Sequence, residues 1–82
     1  MDKLTMVQAL ITDYFGIDGA QARTFAIDIR NMDTQSRAAN PSGRVTVLAI
    51  TGYLAQHLGL QGARVLEISK EVAADIRNVM LA

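Results

Sequence analysis

The sequence predicts an all-α domain of four main helices, and three observations carry that prediction. Apolar residues recur at spacings of three and four along most of the chain. Capping residues and glycine stops fall at the ends of those segments. The length of 82 residues, half of them hydrophobic, suits one domain around one core, so residues 1–82 read as a single unit. A core of this size leaves a thin margin of stability, and a second subunit covering more apolar surface would widen it, so a homodimer is expected.

The first helix is expected over residues 5–15. Thr5 and Gln8 stand at capping-box spacing, and Val7, Leu10, Ile11 and Tyr14 form one apolar face. Gly16 is a natural stop, because glycine tolerates the left-handed conformation at a helix end. Asp18 is the expected cap of the second helix, whose buried stripe is Ala22, Phe25, Ile29 and Met32. Here a strand competes: Phe25, Ile27 and Ile29 alternate with Ala26, Asp28 and Arg30. The leading Ala-Gln-Ala-Arg favours helix. Residues 33–43, DTQSRAANPSG, hold the single proline among polar residues and glycine and read as a loop with at most one helical turn near Ser36.

The third segment runs from about Ser42 to Leu58. Val47, Ile50, Leu54 and Leu58 share a face that Val45, Leu48 and Ala49 widen, which predicts a central, buried helix. Its β-branched start, Arg-Val-Thr-Val, admits a short strand instead. An α+β fold with a hairpin formed by residues 24–30 and 45–50 is therefore the alternative. Gly52 costs roughly 1 kcal/mol within a helix, so it marks either a boundary near Thr51 or the close approach of another helix. Residues 58–62 read as a turn. A long amphipathic helix follows over residues 63–80, with Val65, Ile68, Val72, Ile76 and Val79 as its stripe. A broad apolar face of that length serves the core or pairs with its copy in a dimer.

The balance of 8 basic and 8 acidic side chains hides an asymmetry. Residues 34–66 contain Arg37, Arg44 and Arg64 and no acid. The absence of cysteine excludes disulfides, zinc ribbons and thiol chemistry. No long apolar run follows Met1, and the most apolar stretch, residues 45–58, is broken by polar residues, so no membrane span and a cytoplasmic location are expected. His57 is the single histidine and has no acid or second histidine near it in sequence, so neither catalysis nor a metal site is expected, nor any cofactor. The Gly16–Gly19 stretch lacks the lysine of a phosphate loop. Glu67, Glu71 and Asp75, one helical turn apart with Lys70 among them, read as a solvated face.

In residues 51–70, TGYLAQHLGLQGARVLEISK, Ala55 supplies the small residue of a helix crossing. Gly59 supplies the turn, Leu54, Leu58 and Leu60 the packing around it, and Val65 and Ile68 the anchor of a following helix. With Thr51 as a cap, this stretch resembles the helix-turn-helix of small DNA-binding regulators. The resemblance covers about a quarter of the chain. It implies that the second helix enters the major groove, with Gln61 and Arg64 reading bases and Arg37, Arg44 and Lys70 meeting phosphates, in a dimer that spans two half-sites. Gly62, Ala63 and Glu67 depart from what such a reading helix needs. Two functions follow: a non-catalytic regulator that binds DNA, or a helical protein-interaction module such as an adaptor, inhibitor or assembly subunit.

Overall fold

A computed structural model describes residues 2–59 and 63–82, with the side chains of residues 63–66 set aside. It contains α1 (Lys3–Phe15), α2 (Gly19–Ala39), α3 (Val47–Leu58) and α4 (Ala63–Leu81), with no strand among the described residues. α1 lies along α2 and against α4, and α3 lies along α4. The all-α prediction is correct. The hairpin alternative fails, because residues 24–30 lie inside α2 and residues 47–50 open α3.

Local chemistry explains most of the boundaries. Asp18 caps α2 by accepting a hydrogen bond from the Gln21 N–H at 2.8 Å. Gly16 and Gly59 close α1 and α3 in the left-handed region, at φ 66° and 64°. The cap of α1 is Asp2, not Thr5: its carboxylate accepts from the Thr5 N–H at 2.7 Å, so the helix starts two residues earlier than expected. α3 starts later than expected, at Val47, where the Thr46 hydroxyl accepts from the Ala49 N–H at 3.1 Å.

The expected loop over residues 33–43 is the largest correction. α2 continues to Ala39, and only residues 40–46 connect it to α3. Gln35, Arg37, Ala38 and Ala39 are good helix formers, and the break belongs to Pro41, which disfavours helical backbone in the residue before it. Asn40 is accordingly extended, at φ −149° and ψ 113°.

The core is built from one face of each helix. Val7 and Ile11 of α1 meet Phe25, Ala26 and Ile29 of α2, Ile50 and Leu54 of α3, and Val72 and Ile76 of α4. α4 faces two neighbours, so its buried strip takes in the small residues Ser69 and Ala73, while Ile68, expected inside, is 37% exposed. α3 is not central. It buries Ile50, Thr51 and Leu54 and leaves Leu48, Ala49, Gly52 and Gln56 exposed. Thr51 caps nothing: it lies within the helix, and its hydroxyl donates to the Val47 carbonyl at 2.7 Å. Gly52 marks neither a boundary nor an intramolecular crossing, since a Cβ added there meets nothing within 4 Å. No described helix is long and apolar enough to cross a membrane.

Candidate functional site

Two arrangements of side chains stand apart from the packed core. The first is an ionic junction where the end of α2, the 40–46 connector and the end of α4 meet. Its hub is Asp33, on the inner face of α2 and 3% exposed. One carboxylate oxygen accepts from the Arg44 Nε at 3.1 Å and the Val45 N–H at 2.9 Å. The other accepts from Arg37 at 2.9 Å and lies 3.0 Å from the Arg44 Nη2. Burial pushes the Asp33 carboxyl up, but the hydrogen bonds from Arg44, Val45 and Arg37 outweigh it and hold the group at about 2. The junction extends to α4, because Arg44 donates to the Met80 carbonyl at 3.1 Å and Arg77 to the Val45 carbonyl at 2.9 Å. It fastens the connector to both helices.

This placement redefines two residues that the sequence put at a DNA interface. Arg44 is turned inward, with 26% of its side chain exposed, and spends its donors on Asp33 and α4. Arg37 pairs with Asp33 but stays 52% exposed. Lys70 is exposed on α4 between Glu67 and Glu71, which are exposed as well. Gln61 and the side chain of Arg64 lie outside the described residues. The backbone still sets one distance: Arg44 touches residue 80 of α4, and sixteen residues of helix, about 24 Å, separate that point from position 64. The structure thus brings Arg37 and Arg44 together and places Lys70 apart from them. The α3–α4 pair is joined at Gly59, and residues 60–62 of the expected turn lie outside the described residues.

The second arrangement is the outer face of α3. Leu48 is 79% exposed, the most open large apolar side chain of the described fold. Ala49, Gly52 and Gln56 share its face and are also exposed. α3 carries no Asp, Glu, Lys or Arg. A surface helix ordinarily turns charges outward, and a helix apolar around most of its circumference is a helix with neighbours on both sides. The inner side of α3 has its neighbour in α4. At the edge of this helix, Tyr53 donates to the Asp28 carboxylate at 2.5 Å, and His57 stacks on the Tyr53 ring at 4.1 Å between centroids. Burial, with Asp28 adding to it, raises the Tyr53 hydroxyl far above its usual value, so it is a fixed donor. His57 bonds the Tyr53 carbonyl through Nδ1 at 2.9 Å, and no metal-binding group of three ligands occurs among the described residues.

Sequence reasoning missed Asp33 and the Tyr53–Asp28 pair. The spacing of Asp33 and Arg37 on one helix turn was a usable signal. The partners Arg44 and Asp28 lie 11 and 25 residues away and left none. Compared with models of known families, with curated proteins and with solved structures, the chain matches none.

Proposed function

We propose that this chain is a non-catalytic interaction module of the cytoplasm, and that the outer face of α3 pairs with the same face of a second copy. The observation that carries the reading is the exposure of Leu48, 79%, one helical turn before a glycine whose missing side chain faces open space. Leu48 is a knob and Gly52 a hole, four residues apart on one face. Two such helices crossing antiparallel about a two-fold axis set each Leu48 over the partner's Gly52, which is the reciprocal contact that a two-fold interface requires. With no Asp, Glu, Lys or Arg on α3, the pairing opposes no such charges.

α3 has 12 residues and is therefore about 18 Å long. Its outer face is smaller than the roughly 800 Å² per partner of a tight complex. The dimer of this reading is a weak, reversible one, suited to assembly that responds to concentration. Sedimentation equilibrium across the micromolar to millimolar range tests it. A monomer–dimer equilibrium that Leu48→Asp abolishes, with helicity unchanged, is the expected result. A wild-type chain that stays monomeric at millimolar concentration overturns the reading.

The adjacent helices α3 and α4, with Gly59 closing α3, favour a second reading, DNA binding, for which Lys70 is an exposed cation among the described residues. It requires salt-sensitive binding of duplex DNA, read by fluorescence anisotropy.

A further inference from the structure

A cavity of about 140 Å³ opens where the start of α1, the middle of α2 and the end of α4 converge. Its walls are of two kinds. The floor is apolar, made by Leu4, Val7, Ala26 and Met80. Lys3, Arg30 and Arg37 stand around it, and the one acid in the lining is Asp33. The charges do not cancel. Asp33 is already held by Arg37, Arg44 and the Val45 N–H. Lys3 reaches the Met80 carbonyl at 3.3 Å, which leaves its charge unpaired. Arg30 is exposed, and its guanidinium has no hydrogen-bond or ion-pair partner among the described residues. The cavity is therefore a small apolar floor under uncompensated positive charge.

We propose that this cavity is a binding site for a small carboxylate with an apolar body, a site distinct from the α3 face. The carboxylate pairs with the Arg30 guanidinium, whose planar fork matches it with two parallel hydrogen bonds, and with the Lys3 ammonium. The body lies on Val7, Ala26 and Met80. The volume sets its size: a cavity of about 150 Å³ holds a benzene ring in other proteins. An acid of about that bulk fits, whether it is a free metabolite or the last residue of a protein chain with its terminal carboxylate, because both present the same chemistry.

The test is a titration of the full chain followed by amide NMR, using benzoate, its neutral isostere benzamide, and short peptides that end in phenylalanine with a free or an amidated terminus. Saturable shifts are expected at Leu4, Val7, Ala26 and Met80 with benzoate, and benzamide is expected to bind about tenfold more weakly, as the loss of one charge-assisted contact predicts. Arg30→Gln, at an exposed position, is expected to reduce benzoate affinity to the level of benzamide while leaving the spectrum folded. Tighter binding by the free-terminus peptide than by benzoate assigns the site to a chain end, and the reverse order assigns it to a free acid. No saturable shift at millimolar benzoate overturns the proposal, as does equal binding of benzoate and benzamide or indifference to Arg30→Gln.

Discussion

The Asp33 junction and the outer face of α3 treat exposure in opposite ways. At the junction, a buried charge is surrounded until both of its oxygens are used, and one of the two arginines that hold it, Arg44, is drawn inward. On α3, an apolar side chain stands 79% open, and no charge comes to cover or flank it. A buried carboxylate is costly unless paired, so the chain had to complete the junction within itself. An exposed leucine costs little, so the α3 face could be left for a partner. The contrast separates residues whose loss breaks the fold from residues whose loss breaks an association.

The sharpest break is at Asp33. Asp33→Ala leaves Arg44 half-buried without its counter-charge and the Val45 N–H without an acceptor. Removing one member of a buried pair costs about 3–5 kcal/mol, and the partial exposure of both arginines lowers the expectation to about 2–4 kcal/mol. Urea unfolding measures it. Leu48→Asp under the same conditions, at concentrations where the chain is monomeric, is expected to change stability by less than about 0.5 kcal/mol. Equal losses at the two sites would erase the distinction.

Acid probes the same junction without a mutation. The Asp33 carboxyl falls from an ordinary 3.8 to about 2 on folding. A group whose folded value is depressed contributes stability that is complete above its unfolded value and lost as pH falls through its folded one. The difference is worth about 2 kcal/mol, present above about pH 5 and lost between there and about pH 2. Unfolding curves over that range are expected to lose the step in Asp33→Asn, which carries no carboxylate.

Tyr53→Phe removes the hydroxyl that donates to Asp28 at 2.5 Å and keeps the ring that meets Phe25 edge-on at 5.9 Å. The expected loss is about 1 kcal/mol, since Asp28 is only partly buried and water can replace the donor. Thermal unfolding reads it. A much larger loss would mean that the stacked Tyr53–His57 pair holds α3 against α2 and that the α3 face is less independent of the core than the contrast requires.

What could be read in the sequence divides along similar lines. Gly16, Asp18 and Gly59 act on backbone within a few residues of themselves, and their roles as stops and cap were legible. So was the helical state of residues 22–29, where spacing admitted a strand and the helix-forming Ala-Gln-Ala-Arg lead decided against it. Residues 33–39 misled, because polar composition was read as loop when the true breaker, Pro41, came later. Asp33 was hidden by distance along the chain, since Arg44 and Val45 reach it only after the connector folds back. The apolar stripe of α3 was visible, but its division into a covered and an open side depends on where α4 lies. Of the proposed DNA-contact residues, Arg44 had no signal to show that it turns inward.

Gly52→Ala has a small expected effect and the most informative sign. In the monomer an alanine methyl at this position meets nothing within 4 Å, and alanine is the better helix former by roughly 0.5–1 kcal/mol. Thermal unfolding at low concentration should therefore show a more stable protein. In the proposed dimer the same methyl occupies the space that the partner's Leu48 enters, and overpacking a close contact weakens it. Association measured at high concentration should therefore fall while monomer stability rises. A glycine kept at the cost of helix stability is explained by a neighbour that needs the room. If both quantities rise together, no second helix crosses at Gly52, and α3 leaves its face open for some other reason.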